Sequence, residues 1–136
     1  MAELLTCKIV RPDKLVFEGK VASVVLVTHA GELGVWPLHA AEIVALGKGI
    51  MRVTMPASEG GQTVQYACSG GYAEIANNLV LVLADNALAL SDVDPDEITA
   101  LRQEASEQLN EFDDSDSRRA FYRDRVEWYD LLLAHT

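Results

Sequence analysis

Three histidines and 21 carboxylates are the side chains on which catalysis or metal binding would draw, and their spacing supports neither. His39 and Glu42 stand three residues apart and His29 lies ten before His39, but no third ligand follows at metal spacing and no His-Glu-x-x-His run is present. Ser69 precedes two glycines, whereas a nucleophile elbow needs glycine two residues to either side of its serine. The Ser58-Glu59-Gly60-Gly61 stretch lacks the following Lys-Ser or Lys-Thr of a phosphate cradle. Cys7 and Cys68 match no zinc or redox spacing and are expected to be buried free thiols. No catalytic residue, metal site or cofactor is therefore expected, and the remaining chemistry is that of contact.

The strongest contact candidate lies in residues 31 to 42, Gly-Glu-Leu-Gly-Val-Trp-Pro-Leu-His-Ala-Ala-Glu. Gly31 and Gly34 flank Glu32 and Leu33, so positive φ on both sides is expected to lift the Glu32 carboxylate to the tip of a tight loop that Trp36 and Pro37 stiffen. Two readings stand: a rigid loop that offers a carboxylate to a partner, or an ordinary turn between strands.

Charge narrows the partners. Residues 1 to 90 carry six Lys or Arg against eight Asp or Glu, whereas residues 91 to 136 carry five against thirteen. A net charge of −10 disfavours nucleic acid and anionic lipid alike. No apolar run approaches the roughly 20 residues that cross a bilayer, so no insertion is expected. Met1 to Thr6 has neither the basic start of a signal peptide nor the bias of a transit peptide, and the chain is expected to stay where it is made.

The pattern that must position these residues changes near residue 90. Before it, short runs rich in Val, Leu, Ile and Thr alternate with turn signals: 5–10, 14–17, 21–29, 42–46, 49–55, 62–68, 72–75 and 79–84. Such spacing predicts an antiparallel sandwich or barrel. Turns are expected at Pro12-Asp13, Glu32 to Gly34, Gly47 to Gly49, Pro56 to Gly61, Gly70-Gly71 and Asn77-Asn78. Leu79 to Leu83 is apolar throughout and reads as a central strand. After residue 90, Asp94-Pro95-Asp96-Glu97 is a helix start, and Ile98, Leu101, Ala105, Leu109 and Phe112 form one stripe. Asp113 to Ser117 breaks that helix and can cap a second, whose stripe is Tyr122, Val126, Tyr129 and Leu133. The prediction is a domain over 1–90 followed by an antiparallel two-helix hairpin over 91–136.

Gly31 to Ala40 resembles the Gly-Glu-Leu-Gly loop of the ε subunits of bacterial F-type ATP synthases. Ser69-Gly70-Gly71-Tyr72-Ala73-Glu74-Ile75 and Val82-Leu83-Ala84-Asp85 are similar to later motifs of that family. Ile9-Val10, a Phe17-Glu18-Gly19 turn and Val21 to Val24 fit its opening pair of strands. Within the loop, Leu38 stands where the family has glycine, so the backbone there is not expected to take positive φ freely.

The resemblance implies a sandwich of about ten strands that docks on the γ subunit and the c ring at the base of the central stalk. The chain would then be a rotor subunit, equivalent to the mitochondrial δ subunit, that couples γ to the c ring without being an enzyme itself. It would lie peripherally on the cytoplasmic face of a bacterial membrane. Glu32, Leu33 and His39 would meet the c ring or γ, His39 being otherwise a satisfied histidine after a turn. The hairpin would inhibit ATP hydrolysis by extending, since about 40 helical residues span roughly 60 Å. Arg118, Arg119, Arg123 and Arg125 would meet a catalytic β subunit of the α/β hexamer transiently, or else pair locally with Asp116, Asp124, Glu127 and Asp130.

Some members bind ATP through an arginine early in the first helix. Here Glu97 replaces it, which turns attraction for a phosphate into repulsion of about 4 kcal/mol at an effective dielectric near 20. No nucleotide binding is expected. The alternative from another class is a free-standing β-sandwich binding module with a helical partner-docking hairpin.

Overall fold

A computed structural model describes residues 3–135, which form two compact units, one ending at Ala89 and the other beginning at Leu90. The first is a β-sandwich of eight strands: β1 (Leu5–Arg11), β2 (Lys14–Val21), β3 (Ser23–Thr28), β4 (Gly31–Val35), β5 (Glu42–Ala45), β6 (Lys48–Thr54), β7 (Thr63–Ala76) and β8 (Leu79–Ala89). Strands run in the order β2-β1-β8-β7-β6-β3-β4, with β5 also paired to β7. The expectation of a wholly antiparallel sandwich needs one correction, because β1 pairs with β8 in parallel. The two are remote in sequence, which is the connection that a parallel pair requires.

Counting depends on two strands, β7 and β8, that serve both layers. Residues 63–69 of β7 pair with β6, and residues 72–75 pair with β5, in one continuous antiparallel register. Leu46 and Gly47 carry that register through the gap: Leu46 N–H donates to the Gly71 carbonyl at 2.9 Å, and Gly70 N–H donates to the Gly47 carbonyl at 3.2 Å. The β5–β6 pair, β7 and β8 therefore bend together at one corner. Taken layer by layer, bent β7 and β8 each count twice, which reconciles eight strands with about ten.

Gly70 and Gly71, expected as a turn, are this bend. Their φ angles are 70° and 102°, and a Cβ on Gly71 would collide with the Leu83 carbonyl oxygen. Phe17-Glu18-Gly19 is likewise not a turn, since it lies inside β2, where Gly19 pairs with Cys7 and the Phe17 ring lies beside it. The predicted run 21–29 begins after a break at Ala22, because β2 continues through Val21.

Alternation sets the core. Leu5, Cys7, Ile9, Val24, Leu26, Val53, Ile75, Val80 and Val82 point inward and are buried. Both cysteines are free, and burial pushes each thiol up to about 12.

The second unit holds α1 (Pro95–Asn110) and α2 (Arg118–Ala134), packed on each other. Asp94 caps α1 as expected, its carboxylate accepting from the N–H groups of Asp96 and Glu97. Phe112 lies beyond the end of α1 rather than on its stripe, and stacks on Tyr122 with centroids 5.6 Å apart. On α2 the most buried residue is Leu132 and not Leu133.

Gly71→Ala is expected to cost about 3 kcal/mol or more in urea unfolding, since it adds a steric collision to backbone strain. Gly31→Ala also meets a positive φ of 120° but open space, and should cost about 1 kcal/mol. Equal losses at the two sites would show that the corner does not constrain the sandwich.

Candidate functional site

Glu32 is not at a loop tip. The turn falls at His29-Ala30, Gly31 takes φ 120°, and Glu32 sits within β4 opposite Val27 of β3. Gly34, expected to take positive φ, is an ordinary strand residue paired with Val25. The reason is the β3 ladder, which extends the backbone through Val35 and leaves Gly31 alone to absorb the reversal. Glu32 stands on the outer face, where Arg52 of β6 meets it: Nη1 donates to Oε2 at 2.6 Å and Nη2 to Oε1 at 3.4 Å. This two-pronged pair raises the Arg52 pKa and holds the carboxylate in one orientation. Leu33, its neighbour, turns the other way and packs against the core.

His39 closes the loop after β4. Its N–H donates to the Trp36 carbonyl at 3.2 Å, its Nδ1 lies 2.7 Å from the Ala40 carbonyl, and its Nε2 lies 3.9 Å from Glu42. Both ring nitrogens thus face local acceptors. Leu38 does take positive φ, at 69°, against expectation; Asn78 Oδ1 accepts its N–H at 2.7 Å and holds the backbone there. Beside these residues, Glu32, Leu33, Glu42, His29 and Val44 line an open cleft of about 440 Å³. Among the described residues no three His, Cys, Asp or Glu side chains gather as a metal site, and no helix is long and apolar enough to cross a membrane.

A surface that the sequence left unlocated is plain in the ladder. Leu79 to Leu83 is central, between β1 and β7, yet only its inward residues are buried. Leu79 is 40% and Leu83 48% exposed. Successive pairings put Ala45, Tyr72, Leu83, Val10 and Leu15 in one row across five strands, all on the outer face. Ile43 lies one row away at 72% exposure, and Tyr72 is at 62%. The next row is mixed, with Glu74, Leu81, Lys8 and Glu18 in register and Lys8 paired with Glu18 at 3.9 Å. An apolar row of this kind bordered by charge has the composition of a protein interface.

The four arginines of the hairpin have separate surroundings. Arg118 donates through Nη2 to Asp116 at 2.6 Å and lies 4.2 Å from the Phe112 ring centroid. Arg119 donates through Nη1 to the Leu109 and Phe112 carbonyls at 2.8 Å each, which satisfies acceptors freed where α1 ends. Arg125 donates to the Tyr129 hydroxyl at 2.8 Å. Arg123 is exposed and, among the described residues, has no partner. The local pairing expected for Asp116 is present, but Asp130 pairs across the hairpin with Arg102. Glu97 lies in the first turn of α1 beside Asp96 and the capping Asp94.

Known proteins resemble this chain in sequence and in fold. A family model described as the β-sandwich domain of the ATP synthase delta/epsilon chain matches residues 4–90. The ATP synthase epsilon chain of Desulforamulus reducens is 37% identical over 110 residues, covering 81% of this chain and 80% of the relative. The chloroplastic epsilon chain of Cucumis sativus is 34% identical over 93 residues, covering 68% and 67%. Among solved structures, a chain of the mitochondrial ATP synthase of Euglena gracilis, determined as an OSCP/F1/c-ring assembly, aligns with TM-score 0.74 at 25% identity, covering 96% of this chain and 80% of that one.

The Arg118 guanidinium, and then the Arg118 backbone N–H, hold the Asp116 carboxyl down at about 2 from 3.8. Because the folded value is depressed, this pair's contribution is complete above pH 3.8 and is lost as pH falls through about 2. Carboxyl-detected NMR titration should find Asp116 near 2 and, in Arg118→Ala, raised from there but still below 3.8, because the residue 118 backbone N–H remains. An unchanged Asp116 titration would mean that the pair does not form in solution.

Proposed function

The chain belongs to the ATP synthase delta/epsilon family, and on that premise we propose that it is a rotor subunit of the central stalk, coupling the γ subunit to the c ring of an F-type ATP synthase. It makes or breaks no bond of ATP itself. It works as a peripheral subunit on the cytoplasmic face of a bacterial membrane, held there by its partners. The observation that carries this reading is the bare apolar row on the outer face of the sandwich, Ala45-Tyr72-Leu83-Val10-Leu15, with Ile43 and Leu79 beside it. A rotor subunit must transmit torque through a surface that does not slip, and an apolar face across five strands of one rigid layer meets that need. We assign this face to γ.

The c-ring contact belongs to Glu32, and His39 meets the c ring or γ. Arg52 already neutralises Glu32, so a basic residue of the c ring must share or displace that guanidinium. Such a contact sets register more than strength, because exposed ion pairs contribute little. Leu33 supports Glu32 from the core side rather than touching a partner.

The hairpin is the proposed inhibitor of ATP hydrolysis, acting by extension toward the α/β hexamer. In the packed hairpin three of the four arginines are engaged within the unit: extension would release Arg119 from the end of α1, whereas Arg118 and Arg125 would have to exchange their local partners Asp116 and Tyr129 for a catalytic β subunit. Arg123 needs no release. Specific ATP binding to the hairpin is not part of this function: the acids of the first turn of α1, Glu97 among them, repel phosphate.

Tyr72→Asp combined with Ile43→Asp should abolish copurification with γ while circular dichroism of the isolated chain stays unchanged, since both side chains are exposed. Copurification at the wild-type level would remove γ from this face. For the hairpin, deleting residues 91–136 should raise ATP hydrolysis by the assembled enzyme severalfold, and replacing Arg118, Arg119, Arg123 and Arg125 together by alanine should reproduce most of that rise. A rise on deletion with none in the quadruple variant would exclude the arginine route.

A further inference from the structure

Three described residues other than glycine hold positive φ: Asn77 at 52°, Asn78 at 60° and Leu38 at 69°. The asparagines form the turn between β7 and β8, and short polar side chains tolerate the left-handed region. Leucine does not, because its Cβ crowds the neighbouring carbonyl. Burial of the side chain commonly offsets such strain, yet Leu38 is 78% exposed. Trp36, two residues earlier and also exposed, at least lays its ring over Gly34. Leu38 has no comparable cover.

The strained conformation is nonetheless fixed. Asn78 Oδ1 accepts the Leu38 N–H at 2.7 Å, a strap that spans 40 residues of sequence, and the His39 N–H closes the turn onto the Trp36 carbonyl. Asn78 is itself anchored, its carbonyl accepting the Thr6 N–H at 2.8 Å. The isobutyl group is therefore held in one place by backbone hydrogen bonds, with no burial of its own to offset the strain. Strain that persists in an over-determined setting marks a functional position.

Its position selects the partner. The strap ties Leu38 to the residue that precedes Leu79, and Leu79 stands on the same outer face as Tyr72 and Leu83. An aliphatic side chain gains free energy on an apolar surface and not on a polar one, which favours the partner of the apolar face over the one that meets Glu32. We infer that Leu38 is a pre-set apolar anchor that inserts into γ at the β7–β8 turn end of the docking face, its strain in the free chain offset by burial in the complex. This rests on the assignment of that face to γ.

The test pairs stability with affinity, using the full chain and a γ-containing α/β subcomplex of the same enzyme. Leu38→Gly relieves the strain and removes the side chain: its thermal midpoint should rise by roughly 4 to 8 °C while its Kd for the subcomplex weakens about tenfold. Leu38→Ala keeps a Cβ at positive φ and should weaken binding similarly without the thermal gain. A glycine variant that is no more stable than wild type overturns the strain, and variants that bind as tightly as wild type overturn the anchor. Failure of the unaltered chain to bind the subcomplex overturns the γ assignment itself, and the anchor with it.

Discussion

The corner at Gly47, Gly70 and Gly71 is the constraint on which the sandwich depends. There the β5–β6 pair, β7 and β8 pass from one layer to the other without losing register, because Leu46 and Gly47 keep their hydrogen bonds to Gly71 and Gly70 through the bend. At Gly71 the backbone of β8 lies so close that a side chain is excluded, and the residue takes a φ that favours glycine. Gly47 is confined from the other side, where a Cβ would lie 3.0 Å from the Thr28 carbonyl oxygen. Both surfaces with a proposed role are set by this bend: it presents Tyr72 and Leu83 outward on one layer, and leaves β3, β4 and β6 to carry Glu32 and Arg52 on the other.

Much of this was legible in the sequence because alternation and capping are local. Met51 and Val53 against Arg52 and Thr54 name the inward face of β6 without any knowledge of its neighbours, and Asp94-Pro95 names the start of α1. What could not be read were decisions made between strands. Gly31 to Val35 carries turn residues, yet its pairing with β3 draws it into the sheet. Gly70-Gly71 and Phe17 to Gly19 have the composition of turns and lie within long strands, because a glycine that permits close approach looks, in one dimension, like a glycine that permits reversal. An unbroken apolar run likewise states that a strand is central, but not that both of its faces are covered.

The candidate contact residues divide by the same distinction. Glu32 stands out by its type and motif, but its partner Arg52 lies twenty residues on and is brought to it only by the pairing of β3 with both β4 and β6. The apolar row is invisible for the same reason, since its five residues come from five strands and even its nearest members in sequence, Val10 and Leu15, stand five residues apart across a turn. Leu38 departs from the motif, and leucine alone disfavours positive φ, yet the backbone takes it there. A hydrogen bond from a remote turn imposes the conformation on whatever side chain stands there.

The hairpin shows how one residue type serves unlike ends within a few positions. Arg118 neutralises Asp116 and covers Phe112, whereas Arg119, its neighbour on the helix, turns back to the open carbonyls of α1. That arrangement compensates for the charge pattern of α1, which has acids at its start but no basic residue in its last turn to meet the negative end of its dipole. The cation comes instead from α2, so the C-terminal end of α1 is completed only while the two helices are folded together. Separating them would break both Arg119 bonds at once, so the packing of the two helices on each other is tied to one side chain.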